Sequence, residues 1–577
     1  EYDGAVGFTE YTMSETTVQT GAKTEYTSNV LRQITNKRSS LPDSDLTIET
    51  NYSYDKYRLL ESYEQKTYNS SGSYSVTESY EHDEKGNLIS HTDKFGTQRQ
   101  YSYDDATSVI ANIEEPISRY GYSSMRYTTN ELDPNGSIIK TSIMDQIKNI
   151  AQTTEYTYDT YGNILSSKSL PAYMAEEIFE YTDDHANIKR LIKGDRVTAE
   201  YEYDNIGRKI SETNALGQTT KYKYSFRGDL VEVINPDHTN TKNLYSSDLG
   251  SIYETNIYCD EKGPVKKETI DDFGRVTSVS EISVLESENT YNNQYNYEDF
   301  YEDESKFFDI FTLDGWQTKE NIRYDSIGRV TEVSNVNGTT KYEYDGFNRI
   351  IKKINPDLSE QRIEYDDIER TRTVYDEEGN KTIEKYDAEN RVISQTIFPN
   401  ENTPVSNSFS YDREGQLAMI VDYNGNTTGY HYDTLGRKTE TENALGERSY
   451  KKYASDMSYD AEYYFDGTVR QMNYYDEFGR LSAVTDEYFN VNTYAYDAGD
   501  NLIESIDKNG NSIRYKYNSR NAVTNISTNG AEKEYTYDEA GKTRAIESRR
   551  ANSSGILDKE NRIQYNYRRN GLVNDET

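Results

Sequence analysis

Tyrosine alternates with polar residues in short segments along most of this chain. Tyr201-Glu202-Tyr203 is one such segment, and Asp204 and Gly207 follow it. Side chains two residues apart in a β-strand point to the same face of a sheet, so both rings lie on one face. The alternation therefore predicts a half-buried strand that ends in a turn.

The strand and its turn recur with a period of 20 or 21 residues. Tyr344, Tyr365 and Tyr386 are each 21 residues apart, and Tyr324 precedes Tyr344 by 20. Such a period predicts a repeat array that grows by stacking units. The candidate motif residues are Tyr156, Tyr158, Asp159, Gly162, Tyr201, Tyr203, Asp204, Gly207, Arg208, Tyr324, Asp325, Gly328, Arg329, Tyr342, Tyr344, Asp345, Tyr411, Asp412, Gly415, Tyr430, Tyr432, Asp433, Gly436, Arg437, Tyr475, Asp476, Gly479, Arg480, Tyr494, Tyr496, Asp497, Tyr535, Tyr537, Asp538 and Gly541.

A second turn signal follows the first within each repeat, as in Asn-Ala-Leu-Gly at residues 214–217 and Asn-Pro-Asp at residues 235–237. Asp or Asn at the first position of a turn accepts hydrogen bonds from its own backbone, and glycine supplies a positive φ. Each unit is therefore predicted to be a β-hairpin. We expect positive φ at Gly207, Gly328 and Gly436, and a turn-capping role, not acid catalysis, for the aspartate.

The rhythm of the repeat divides the chain into four predicted parts. Residues 1–50 are an irregular N-terminal β segment, expected to be cut from a larger array, and residues 51–245 are a repeat array. Residues 246–320 contain atypical repeats with an acidic, aromatic insertion, and residues 321–577 are a second array, expected to be truncated at its C-terminus. The insertion is interpreted as a surface loop or a binding face.

Composition limits the classes of molecule that this chain is expected to bind. The chain has 57 Tyr and a net charge of −37, with 33% hydrophobic residues. Low hydrophobicity with high charge favours disorder, but regularly spaced aromatics argue against it here. A polyanion has little cationic surface for phosphate backbones, so no nucleic-acid partner is expected. No stretch approaches the length of an apolar membrane span, so no membrane insertion is expected.

Motifs for catalysis and cofactor binding are missing from the sequence. The histidines are His82, His91, His185, His238 and His431, and none forms a metal-spaced pair. We expect each on the surface, and we predict no catalytic residue, no metal ligand and no cofactor. The single cysteine, Cys259, excludes an internal disulfide framework. Weak calcium binding is a minor alternative for one acidic cluster. That cluster comprises Glu298, Asp299, Glu302, Asp303 and Glu304.

These repeats resemble the YD-repeat or RHS family, over roughly residues 50–570. The relatives include bacterial RHS and wall-associated polymorphic toxins, the B and C components of insecticidal toxin complexes, and animal teneurins. The resemblance implies an all-β fold in which repeated antiparallel hairpins form a β-sheet that spirals into a hollow shell. It also implies a secreted or cell-surface protein whose shell encloses or presents a C-terminal toxin or effector domain of the same polypeptide.

The sequence departs from the toxin-bearing members at one point. Those members carry an Asp-Pro-x-Gly core segment that closes the shell and supports self-cleavage. Here Asp133-Pro134-Asn135-Gly136 lies early, inside a repeat, and we interpret it as an ordinary turn. The plug that closes the shell, the cleavage site and the cargo are therefore expected to be absent from this chain or removed with its C-terminus.

Two other functions remain open from the residues. The first alternative is an extracellular carbohydrate-binding, cell-wall-binding or adhesion module, in which exposed tyrosines contact cell-surface glycans or proteins. The single Trp316 counts against a choline-type aromatic cage. The second alternative, an enzyme, has no motif to support it.

Overall fold

Antiparallel hairpins make up the described part of the chain. The computed structural model describes residues 10–16, 22–42, 44–119, 122–170, 173–245, 254–260, 263–282, 316–399, 403–538, 541–552, 556–567 and 573–576. These ranges contain 47 β-strands, and none of their residues is helical. No helix within them is long and apolar enough to cross a membrane. The predicted all-β hairpin fold is confirmed.

The strands are numbered in chain order. Strands β1 to β16 are Glu10–Thr16, Lys23–Asn29, Ile34–Ser40, Thr47–Tyr54, Leu60–Tyr68, Ser73–His82, Leu88–Thr92, Gln98–Tyr103, Ile110–Arg119, Tyr122–Leu132, Ile138–Met144, Ile150–Tyr158, Ile164–Leu170, Glu177–Tyr181, Ile188–Lys193 and Arg196–Tyr203. Strands β17 to β32 are Lys209–Asn214, Thr219–Tyr224, Leu230–Ile234, Asn240–Tyr245, Glu254–Asp260, Gly263–Ile270, Val276–Ile282, Trp316–Tyr324, Val330–Asn335, Gly338–Tyr344, Ile350–Ile354, Glu360–Asp366, Thr371–Tyr375, Lys381–Tyr386, Val392–Ile397 and Val405–Tyr411. Strands β33 to β47 are Leu417–Val421, Thr427–Tyr432, Lys438–Glu442, Arg448–Tyr453, Tyr459–Tyr463, Val469–Tyr475, Leu481–Asp486, Val491–Tyr496, Leu502–Ile506, Ser512–Tyr517, Val523–Ser527, Ala531–Tyr537, Thr543–Ala551, Leu557–Tyr567 and Val573–Glu576.

Each strand pairs antiparallel with the next one along the chain, which makes the array a continuous meander. The register shifts by one residue at the second tyrosine of many repeats, for example between Glu202 and Tyr203 and between Glu343 and Tyr344. Such a β-bulge bends its strand and increases the local twist. Repeated bulges therefore favour a sheet that curls instead of lying flat.

The curled sheet returns on itself. Lys193 Nζ donates a hydrogen bond to the carbonyl oxygen of Phe478 at 3.2 Å, across 285 residues of sequence. Arg196 Nη1 lies 3.0 Å from Asp500 Oδ1, across 304 residues. We call residues 41–239 the first coil and residues 346–520 the second coil, because these two stretches lie edge to edge.

The seam, the line along which the two coils touch, joins two different kinds of turn. The second coil contributes the turns that follow Tyr-Asp, here called YD turns, and the first coil contributes the connections at the opposite ends of its hairpins. Pairs across the seam include Leu41 with Gly346, Tyr74 with Arg370, Lys94 with Glu389, Leu216 with Gly499, and Asp237 with Arg520.

Little apolar volume is buried. The buried hydrophobic residues of the described ranges are Val76, Ile117, Ala199, Val231, Ala461 and Ala545. Most other buried residues in the described ranges are Ser and Thr, whose small side chains pack across neighbouring strands. The hydroxyls of Ser142 and Thr153, for example, lie 3.2 Å apart. Cross-strand pairs of this kind each contribute about 0.2–1 kcal/mol, so stability is spread over many small contacts.

The proposed four-part division of the chain remains a prediction. Strands already run through residues 10–50, within the segment predicted to be irregular. The candidate calcium cluster at residues 298–304 lies outside the described residues. Asp133-Pro134-Asn135-Gly136 forms the predicted turn, since Asp133 Oδ1 accepts the backbone N–H of Asn135 at 2.8 Å.

Candidate functional site

The YD turn is capped by its aspartate. In the turn after Tyr203, Asp204 Oδ1 accepts the backbone N–H groups of Ile206 at 3.1 Å and Arg208 at 2.9 Å. The N–H of Gly207 donates to the Asp204 carbonyl oxygen at 3.0 Å, and Gly207 has a φ of 85°. The backbone N–H of Arg208 lowers the pKa of Asp204, and the guanidinium of Arg208 adds to this against the opposing effect of burial.

An arginine at the end of the turn binds the same aspartate. Arg208 Nε donates to Asp204 Oδ2 at 2.7 Å. A charge-assisted bond of this kind is stronger than a neutral one. The same pairing of arginine with the aspartate four residues earlier occurs at Arg275, Arg329, Arg349, Arg391, Arg437 and Arg480.

The arginine also contacts the next repeat. The Arg349 guanidinium lies 4.2 Å from the centroid of the Tyr365 ring, and the hydroxyl of Tyr365 donates to the Ile350 carbonyl oxygen at 3.1 Å. We call this set of aspartate, arginine and following tyrosine the repeat junction. Comparable contacts join Arg208 to Tyr224, Arg329 to Tyr344, Arg437 to Tyr453 and Arg480 to Tyr496, at 4.2 to 4.9 Å.

The predicted motif residues occupy repeated positions in these turns. The first tyrosines are half-buried: Tyr156, Tyr201, Tyr342, Tyr430, Tyr494 and Tyr535. The second tyrosines that donate their hydroxyls to a carbonyl oxygen of the preceding repeat are Tyr158, Tyr203, Tyr324, Tyr344, Tyr411, Tyr432, Tyr496 and Tyr537. Tyr475 differs, because its hydroxyl donates to Asp460 Oδ2 at 2.7 Å, and burial together with this bond raises the pKa of Tyr475 to about 12.

The aspartates and glycines of the turns also occupy repeated positions. Aspartates whose carboxylates accept a backbone N–H within their turns are Asp159, Asp204, Asp325, Asp345, Asp412, Asp433, Asp476, Asp497 and Asp538. Glycines with φ between 79° and 92° are Gly162, Gly207, Gly328, Gly415, Gly436, Gly479 and Gly541. The motif tyrosines and aspartates are thus tied to the sheet by hydrogen bonds.

One turn breaks the pattern at the seam. Gln416 stands where many YD turns have arginine, and Glu414 in the same turn accepts the backbone N–H of Ser118, from the first coil, at 3.1 Å. Burial raises the pKa of Glu414, and it also raises the pKa of Asp412. The two half-buried carboxyl groups therefore differ from the capping aspartates elsewhere in the array.

Sequence reasoning missed the role of the histidines. Four are half-buried, not exposed, and each has a ring nitrogen near a carboxylate oxygen. The distances are 3.3 Å for His82 to Asp55, 3.2 Å for His91 to Glu78, 3.1 Å for His185 to Asp159 and 3.8 Å for His431 to Glu440. Strand register brings His91 and His431 to their glutamates, and His185 contacts Asp159 from a neighbouring turn. His238 is exposed as expected.

A cleft of about 220 Å³ opens at the seam, lined in part by Asp237, Arg520, Tyr535 and Tyr537. Its central charges are an ion pair, because Arg520 Nε lies 2.6 Å from Asp237 Oδ2. A structural ion pair between the coils accounts for these charged groups.

The family model described as RHS Repeat matches residues 324–359, 411–448 and 475–512. The chain therefore contains RHS repeats at these places, as the sequence predicts. The matched stretches each contain a YD turn with its capping aspartate. The same hydrogen bonds occur at Asp204 and Asp159, so the turn geometry of the matched stretches recurs in the first coil.

Solved structures share the fold. The crystal structure of TcdB2-TccC3 superposes with a TM-score of 0.54 at 13% identity, over 97% of this chain and 34% of that one. TcdB2-TccC3 without its hypervariable C-terminal region gives a TM-score of 0.54 at 12% identity, over 96% of this chain and 35% of that one. The chain thus spans about a third of the length of these structures. No curated protein matches it in sequence.

Proposed function

We propose that this RHS shell segment encloses or presents a C-terminal toxin or effector domain of the same polypeptide, as part of a secreted or cell-surface protein. The observation that carries the proposal is the return of the sheet on itself, seen where Lys193 meets Phe478 and Arg196 meets Asp500. The repeat junction serves this function by holding successive hairpins in register around the coil.

The size of the coil supports a hollow interior. The meeting of Lys193 at the end of β15 with Phe478 just after β38 places 38 − 15 = 23 strand intervals in one winding. At about 4.8 Å per strand, that winding is about 110 Å around and about 35 Å across if circular. Packed sheets lie only about 10 Å apart, so a winding of this width encloses space that its own side chains do not fill. That space is available to an enclosed polypeptide.

Exposed apolar side chains in turns away from the seam support the proposal of a larger shell. The third residue of the YD turn is covered at the seam, as at Phe347 and Phe478, but exposed in the first coil, where Tyr161 is 71% and Ile206 is 70% accessible. Rows of exposed apolar side chains mark interaction surfaces. We propose that further RHS coils cover these turns.

The charge of the chain supports one class of cargo. A net charge of −37 makes a basic effector electrostatically compatible with the shell and an acidic one unfavourable. A nucleic-acid-cleaving toxin is a cargo of this basic class.

Limited proteolysis of the full-length gene product tests enclosure. We expect the effector domain to be protected while the shell is intact. Protection should weaken in a double variant, Arg196→Ala with Arg520→Ala, which removes two ion pairs across the seam. Arg362→Ala, at a side chain that is 60% exposed, is the matched control. An effector domain cleaved as fast within the parent protein as in isolation would contradict enclosure.

Few tyrosines are exposed enough to support the adhesion alternative. Among the described residues, the strongly exposed tyrosines are Tyr161 and Tyr488, at 71% and 75% accessible. Both lie in turns, whereas the motif tyrosines hold the sheet. Binding to a glycan array that is lost in Tyr161→Ala or Tyr488→Ala would support this alternative.

A further inference from the structure

A histidine and two glutamates meet on one hairpin of the second coil. His431 of β34 pairs directly with Glu440 of β35, and Gly429 pairs with Glu442. The ligand atoms of His431, Glu440 and Glu442 all lie within 4.8 Å of one another. An imidazole nitrogen and two carboxylate oxygens form a donor set that divalent transition metals accept.

Glu440 supplies an independent sign of a missing ligand. Its side chain is 5% exposed, and its buried Oε1 atom accepts no hydrogen bond, although the Arg448 guanidinium lies 3.2 Å away. A buried carboxylate oxygen without a hydrogen bond is costly and calls for a water or an ion. His431 Nε2 lies 3.8 Å from this oxygen, too far for a hydrogen bond and close to the separation of two atoms that ligate one ion.

Arg448 now balances the charge of the two glutamates. Its Nη1 lies 3.2 Å from Glu440 Oε1, and its Nε lies 2.8 Å from Glu442 Oε2. The Arg448 side chain is 50% exposed, so it can turn toward solvent when a bound cation replaces it beside the two carboxylates. Gly429 leaves room beside the carboxylates, because a Cβ there would meet only the Cβ of Glu442, at 3.8 Å.

We propose that His431, Glu440 and Glu442 bind one divalent transition-metal ion, with Zn²⁺ as the best fit, when Arg448 moves aside. His431 Nε2 and one oxygen of each carboxylate are the protein ligands, and water completes the coordination. The ion ties β34 to β35 across the hairpin and stabilises the folded chain, since a ligand that binds only the native state raises its stability. This proposal departs from the expectation that no histidine of this chain binds metal. The proposal does not depend on an enclosed cargo.

Calorimetric titration of the whole chain with Zn²⁺, and visible absorption spectra with Co²⁺, test the site. We expect one ion per chain and a rise in melting temperature. His431→Ala and Glu442→Gln should each weaken binding about tenfold or more, in the range that loss of supporting interactions produces. Glu442→Gln keeps the side-chain volume, so it separates ligand loss from misfolding. His91→Ala is the matched control, because His91 is also half-buried beside a glutamate.

Arg448→Met gives the discriminating result. Removal of the competing cation should tighten Zn²⁺ binding, whereas a purely structural role of Arg448 in this cluster predicts lower stability and no change in metal affinity. Three results would each overturn the proposal: no stoichiometric binding by the parent, binding that survives His431→Ala, or binding that is indifferent to Arg448→Met.

Discussion

The Arg349 guanidinium lies 4.2 Å from the centroid of the Tyr365 ring and donates at the same time to Asp345, 2.7 Å away. One side chain therefore links the cap of its own turn to the aromatic strand of the next repeat. Because this contact recurs along the array, each repeat stabilises the next one through the same kind of contact.

Arg349→Lys tests the repeat junction. Lysine keeps the charge but lacks the planar fork that stacks on an aromatic ring while bonding a carboxylate. We expect a loss of about 1–2 kcal/mol in the free energy of unfolding, from a weaker cation–π contact and a poorer bond to Asp345. Urea denaturation measures this. Arg362→Lys, at an exposed arginine, should change little, and equal effects of the two substitutions would contradict the junction's role.

Gly328→Val tests the backbone of the turn. The φ of Gly328 is 92°, and a Cβ there would lie 3.0 Å from Arg275 Nη1. A β-branched residue in this region costs about 1–3 kcal/mol, so the melting temperature should fall. Gly328→Asn should be milder, because Asn348 holds a φ of 68° at the same place in a neighbouring turn. A Val variant that melts like the parent would show that the turn tolerates side chains.

Leu216→Ser and Leu445→Ser form a matched pair for the seam. Both leucines stand third in an Asn-Ala-Leu-Gly turn, but Leu216 lies against Gly499 of the second coil, whereas Leu445 is 82% exposed. We expect Leu216→Ser to cost about 1–2 kcal/mol of apolar burial and Leu445→Ser almost nothing. Thermal melting compares them. Equal losses would mean that the coils do not dock through this turn.

The lowered pKa values of the capping aspartates lead us to expect that acid destabilises the folded chain. Burial opposes ionisation of Asp159, but bonds from Asn163, Tyr161 and His185 hold its pKa at about 2, below the ordinary 3.8. A carboxyl group whose pKa is lower in the folded state stabilises the fold above its unfolded pKa, and that stability is lost as pH falls through the folded value. Asp204, Asp325 and Asp422 are shifted in the same direction. The melting temperature should therefore fall between about pH 4 and pH 2.

Glu414 should respond with the opposite sign. Burial raises its folded pKa, so its ionised form destabilises the fold at neutral pH and protonation relieves this as pH falls. Glu414→Gln keeps an oxygen for the N–H of Ser118 and removes the charge. We expect a variant at least as stable as the parent at pH 7, with the difference shrinking in mild acid. A less stable variant at pH 7 would show that the ionised carboxylate strengthens the seam.

The sequence by itself determined the hairpin repeat. Alternation at Tyr201 and Tyr203, the cap at Asp204 and the positive φ at Gly207 are local features, because each depends on residues a few positions apart. The contact of Arg208 with Tyr224 also follows from the sequence, because the spacing between the end of one turn and the second tyrosine of the next repeat is nearly constant. Interactions within or between neighbouring repeats leave a periodic signature in the chain.

Tertiary structure alone decided which residues meet across the seam between the coils and which side chains meet across neighbouring strands. Identical Asn-Ala-Leu-Gly turns leave Leu216 half-buried and Leu445 exposed because burial depends on which coil lies alongside. The position of the coils follows from bulge and twist accumulated over many strands. The meeting of His431 with Glu440 and Glu442 depends in the same way on cross-strand register. A single-residue shift in that register would move the histidine to the opposite face of the sheet from its partners.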